Sequence, residues 1–122
     1  MDAFDHRKLE VYRSAVRFAE VAEGVAGRLP RAHAGLADQL RRAAASIVLN
    51  IAEGAAETRP REKARLYRLA RRSTAECSAI LDLVNAVARA STVPSSARSL
   101  LFRLSLVLDR LIERHDHPTP PA

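Results

Sequence analysis

The stretch QLRRAAASIVLNIAEG, residues 39–54, decides the fold. Leu40, Ala43, Ala44, Ile47, Val48 and Ile51 recur at steps of three and four, the period at which side chains share one face of an α-helix. Extended upstream to Leu36, the pattern predicts a helix from about Leu36 to Glu53, with Gly54 placed where a left-handed C-terminal stop is expected. The same period appears three more times. One segment runs from about Lys8 to Arg28 and carries Leu9, Tyr12, Val16, Ala19, Ala22 or Glu23, and Ala26, ending at Gly27 and Pro30. Another opens near Thr58, read as an N-cap ahead of Pro60, and carries Leu66, Leu69, Ala70, Ser73, Cys77, Ile80, Leu81, Val84 and Val87 to about Ala90. STVPSS, residues 91–96, interrupts the pattern. Ser95 or Ser96 then opens a fourth segment with Ala97, Leu100, Leu101, Leu104, Leu108, Leu111 and Ile112, ending near Arg114. The remaining HDHPTPPA, residues 115–122, has three prolines among its last five residues and is expected to be a disordered tail.

Four helices joined by short links favour antiparallel neighbours, so the expected architecture is an all-α, up-down-up-down four-helix bundle in one domain, residues 1–114. Composition agrees: Ala, Arg and Leu together fill 56 of 122 positions, a bias toward strong helix formers. With five aromatic residues in all, the helices must approach closely through alanine. An apolar share of 48% is rich for a small bundle with every outer face in water, and association between copies would bury the excess.

No apolar run reaches the roughly 18 residues needed to span a bilayer, and the N-terminus is charged where a signal peptide would be apolar. The expectation is a bacterial, cytoplasmic protein with no membrane role. Cys77 is alone, which rules out an intrachain disulfide. Glu-x-x-His pairs, Gly-rich phosphate loops and nucleophile motifs are missing, so no catalytic residue, metal or cofactor is expected and the chain is read as non-enzymatic. His115 and His117 are assigned to the tail, and His6 and His33 to solvent.

The net charge of +6 is local. Between Glu57 and Arg72 stand Arg59, Arg61, Lys63, Arg65, Arg68, Arg71 and Arg72 against Glu57 and Glu62. Arg61, Arg65, Arg68 and Arg72 fall within a helical stripe about 60° wide, about 130° from the apolar face. Only Glu62 and Glu76 lie close enough along the helix to offset the repulsion. Such a ridge suits the phosphates of RNA or DNA, which guanidinium binds bidentately with release of counterions. The alternative is a solvated ridge, or one that pairs with neighbouring subunits or an acidic protein partner. Without interleaved aromatics apart from Tyr67, no base stacking or sequence readout is expected. On the second helix, Gln39, Ser46, Asn50 and Glu53, flanked by Arg42, form a polar line beside the apolar face, read as a structural or oligomer seam. Asn50 needs its amide matched, and Glu53, at the unfavourable end of the helix dipole, needs a cationic or amide partner.

FDHRKLEVYRSA (residues 4–15), QLRRAAASIVLNIAEG and REKARLYRLARRSTAEC (residues 61–77) together resemble the bacterial four-helix bundle protein family whose founding members are encoded by intervening sequences within 23S ribosomal RNA genes. The chain departs from the family pattern at Lys63, where an aromatic usually follows the Glu, and at Arg72, where Gly usually precedes the Ser. The resemblance implies a ring-shaped homopentamer. It also implies kinship with basic accessory proteins of diversity-generating retroelements, and through them a reverse transcriptase and its RNA as partners. It carries no catalytic residues.

Overall fold

The computed structural model describes residues 9–88 and 93–116. Within them lie α1 (Glu10–Arg28), a single 3₁₀ turn (Arg31–His33), α2 (Ala34–Ala56), α3 (Pro60–Val87) and α4 (Ser95–Asp116). The expectations for His6, for His117 and for the rest of the tail fall outside the described residues. So does the stretch that was to carry the third helix past Ala88.

Each helix packs on its neighbours in sequence, and α1 returns to α4. Among the described residues the diagonal pairs α1/α3 and α2/α4 make no close approach, so all four helices surround one common core. Phe18, Leu40, Ile47, Ile51, Leu81, Leu104 and Leu108 fill it, each fully buried. Partners on α4 fall in number as those on α3 rise: Arg68 pairs with Asp116, Arg71 with Asp109, and Asp82 with Arg98. Ser46 meets Ser73 and Gly54 meets Tyr67 in the same descending order between α2 and α3.

The apolar faces of α2 and α4 follow the 3.6-residue pattern closely. That of α1 is rotated by about one residue from the expected Leu9, Tyr12, Val16 and Ala19: the buried line is Val11, Ala15, Phe18, Ala22, Val25 and Ala26. Both lines satisfy the helical period, and the difference is volume. Phe18 and Val25 enclose more apolar surface than Ala19 does, so α1 turns them inward and leaves Leu9, Tyr12 and Ala19 on the shoulder. Val87, expected in the core, is 49% exposed because α3 ends there.

Two boundaries differ for local reasons. Thr58 does not cap α3. Pro60 occupies the first turn and holds Arg59 extended at φ −81, ψ 122, which makes Arg59 the cap position. The Glu57 carboxylate instead accepts the Arg59 backbone N–H at 3.0 Å. Gly54 is not a left-handed stop either, since no glycine among the described residues has positive φ and α2 continues to Ala56. A Cβ at Gly54 would sit 2.7 Å from Tyr67 Cε1 and 2.9 Å from Cδ1, so the glycine is there to let the tyrosine ring lie against the α2 backbone.

This difference between glycines is measurable. Gly54→Ala should destabilise the bundle by about 1–3 kcal/mol through overpacking, outweighing its gain in helix propensity. Gly35→Ala meets nothing within 4 Å and should stabilise it by up to about 1 kcal/mol. Urea unfolding of the two variants checks both signs, and equal effects would contradict the packing role of Gly54.

Candidate functional site

Arg61, Arg65, Arg68 and Arg72 all emerge on the outer face of α3, while Leu66, Ala70, Ser73 and Cys77 of the same turns are buried. The predicted ridge therefore exists as a surface, but it is not a row of free cations. Arg65 binds Glu62 through two bonds, Nε to Oε1 at 2.5 Å and Nη2 to Oε2 at 2.8 Å. Arg68 pairs with Asp116, and Arg71 Nε donates to Asp109 at 3.0 Å. Arg59 clasps Glu57, with Nε to Oε1 at 2.9 Å, which holds that carboxyl at a pKa of about 2. The hydrogen bond from Arg65 likewise holds Glu62 below the usual carboxylate range. Only Arg61 and Arg72, at opposite ends of the stripe, have no ion pair among the described residues. Glu62 was within reach of a helical-period argument; Asp109 and Asp116 were not, because they arrive from α4. All four pairs have at least one exposed member, a class that contributes little to stability and weakens with salt.

The polar line of α2 is assembled only in its middle. Asn50 Nδ2 donates to the Ser46 carbonyl at 2.9 Å and to Ser46 Oγ at 3.0 Å, and Ser73 Oγ of α3 donates to Ser46 Oγ at 2.9 Å. The Asn50 amide is thus matched inside the chain, and the network ties α2 to α3. Gln39, Arg42 and Glu53 stay exposed and outside it. Among the described residues Glu53 makes no hydrogen bond or ion pair, and the cation it acts on, Arg65, is reached only by longer-range attraction. The C-terminus of α2 is neutralised by another group: Lys63 Nζ donates to the carbonyls of Gly54, at 2.5 Å, and Ala55, at 3.2 Å.

Lys63 belongs to a cluster that sequence reasoning missed. Its Nζ lies 5.7 Å from the centroid of the buried Tyr67 ring, and the other side of the cluster is His115, whose ring centroid is 6.0 Å from that of Tyr67 at a 38° tilt. His115 and Asp116 were assigned to the tail, yet both are in α4 and half-buried. The helix continues because His115 packs on Tyr67 and Asp116 reaches Arg68. Burial, followed by the charges of Lys63 and Arg114, lowers the His115 pKa, while burial raises that of Tyr67.

The chain matches the family described as 23S rRNA-intervening sequence protein over residues 7–105. It belongs to that family. No match to a curated protein accompanies this one. The matched range takes in α1, α2, α3 and the first half of α4. In this 23S rRNA-intervening sequence protein, therefore, the ridge itself lies inside the shared region, while Asp109, His115 and Asp116, which pack against it, lie beyond. Among the described residues no group of three or more His, Cys, Asp or Glu is placed to hold a metal ion, and no helix is long and apolar enough to cross a membrane. Burial pushes the Cys77 thiol up to about 12, so it stands as a packed thiol and not as a nucleophile.

The depressed His115 pKa fixes a sign. The folded chain favours neutral imidazole, so the stability it contributes is present above the unfolded pKa of about 6.5 and is lost as pH falls through the lower folded value. Melting temperature should therefore drop on going from about pH 7.5 to about pH 5, and His115→Phe should flatten that slope. An unchanged slope in the variant would contradict the assignment.

Proposed function

We propose that the chain is a non-enzymatic, cytoplasmic helical scaffold, an antiparallel up-down-up-down bundle that associates with itself and holds the backbone of RNA or DNA along the outer ridge of α3. The observation that carries the reading is the state of the ridge. Arg61 and Arg72 stand about 16 Å apart along the helix with no carboxylate partner among the described residues. Arg65 and Arg68 between them are themselves exposed and hold half-buried carboxylates that a phosphate can replace, since a pair with an exposed member is worth little in water and the entering phosphate releases condensed counterions. The descending order of α2–α3 and α3–α4 partners supports the antiparallel arrangement. Phe102, 66% exposed, and Leu106, one turn on, place an apolar pair on the outside of α4, which supports self-association. The family resemblance suggests a pentameric ring, in which the ridge would repeat.

The same apolar pair favours a second reading, a protein-protein adaptor or accessory subunit in which the ridge arginines serve only intramolecular pairs. Filter binding of single- and double-stranded RNA and DNA separates the two. Backbone binding predicts retention at about 50 mM salt, with a log-log salt slope between about −1.5 and −3.5 for two to four phosphates. Arg61→Glu combined with Arg72→Glu should abolish retention with helix content unchanged. Should no nucleic acid be retained at low salt, the scaffold is an adaptor.

A further inference from the structure

The last turn of α4 is fastened to α3 by two adjacent side chains. Glu113 and Arg114 are exposed, whereas His115 and Asp116 are half-buried, and each of these meets a different residue of α3. His115 lays its ring beside the buried Tyr67 ring, with centroids 6.0 Å apart, and Asp116 pairs with Arg68 of the ridge. The ion pair is weak by itself. Arg68 is about half exposed to water, and a carboxylate at a helix C-terminus faces the negative end of the dipole. Asp116 therefore stays on Arg68 only while the turn that carries it stays wound, and the packing of His115 on Tyr67 keeps it wound.

The surroundings of His115 make that packing conditional. From α3 it is faced by Lys63, Tyr67 and the paired Arg68, and on α4 its charged neighbours are Arg114 and Asp116. α2 contributes the Gly54 and Ala55 carbonyls, which tie Lys63 in place at 2.5 and 3.2 Å. A proton on the ring adds a third cation to Lys63 and Arg114 where burial already disfavours the charged form. The ring regains water by unwinding the terminal turn, the part of a helix that opens at least cost.

We infer that His115 and Asp116 form a proton-operated latch over the ridge: shut while the imidazole is neutral, with Asp116 on Arg68, and open once it is protonated, with Arg68 free to take a phosphate. The inference rests on the reading of the ridge as a phosphate-binding surface and adds its regulation. Arg72, four residues on, has no ion pair among the described residues. Opening therefore sets two unpaired guanidiniums one turn apart on the same face, where the closed chain presents one. Burial and the neighbouring cations hold the closed imidazole below its ordinary range, so opening and ridge affinity both rise as pH falls through that lowered value.

Fluorescence anisotropy with labelled polyuridylate and with a labelled DNA duplex, compared at about pH 7.5 and about pH 5, tests the latch. Between the two pH values wild-type affinity should rise about two- to fivefold, the effect of freeing one exposed ion pair, beyond any rise that His115→Phe still shows from the other histidines. Asp116→Asn should bind at the higher pH as tightly as the wild type does at the lower, with a salt slope steeper by about 0.7 to 0.9 for the added phosphate. Without nucleic acid, the ¹³Cα shifts of residues 114–116 should move from helix toward coil in the wild type at the lower pH and stay helical in His115→Phe. An open turn with no strand retained at either pH would overturn the ridge reading and the role of the latch with it. Retention by a wild-type chain whose last turn stays helical at the lower pH, or equal affinity of Asp116→Asn and wild type at the higher pH, would overturn the latch alone.

Discussion

The seam between α2 and α3 is the constraint on which the rest of the molecule depends. It is the most extensive helix contact in the bundle, and small side chains make it so. Gly54 on α2 lets the Tyr67 ring of α3 lie against its backbone, Ser46 meets Ser73 farther along, and the buried Ala43, Ala44, Ile47, Ile51 and Ala70 belong to the core these helices share. Burying polar groups in such a seam costs free energy unless they bond one another, and Ser46, Asn50 and Ser73 do. Lys63 then bonds the carbonyls that the end of α2 leaves open. With α3 held from three directions, the outer face of the same turns is presented as a rigid ridge.

Electrostatics at that ridge follow from tertiary placement. Along α3 alone the arginines repel one another by a few tenths of a kcal/mol per pair. The fold answers with carboxylates from three places: Glu57 in the α2–α3 link, Glu62 on α3 itself, and Asp109 and Asp116 on α4. Each pair keeps an exposed member, so the carboxylates reduce the repulsion while the guanidiniums stay at the surface. A local excess in sequence and an available excess in space are therefore different quantities. Arg17 and Arg103, inconspicuous in the chain, line one polar groove between α1 and α4, whereas Arg65 and Arg71, inside the densest basic run, are paired.

The helical architecture was legible because period and breakers are local properties. Leu40, Ile47 and Ile51 mark the face of α2, and Leu100, Leu104 and Leu108 that of α4, without reference to any other element. What stayed hidden depends on which element lies opposite. Val11 and Phe18 replace Tyr12 and Ala19 in the core because of the volume between α1 and its neighbours. Gly54 reads as a stop in sequence and is a contact surface for Tyr67 in space. Glu53 looked in need of a partner, but Lys63, marked in sequence as one of the basic run and as a departure from the family pattern, discharges that end of the helix by binding backbone carbonyls instead. His115 looked like part of a proline-rich tail until its ring met that of Tyr67. The ridge positions were readable from spacing, and the carboxylates that occupy them were not.

The extensive α2–α3 seam should outlast the smaller α1–α4 seam, and native-state hydrogen exchange tests that order most directly. Amides of Ile47 and Ile51 on α2 and of Ala70 and Cys77 on α3, all buried in the core, should exchange slowest and only through global unfolding. Those of Ser14 and Arg17 on α1 and Arg103 on α4 should open earlier through a local step. Slowest exchange in α1, or uniform protection across all four helices, would contradict the claim that the α2–α3 seam holds the molecule together.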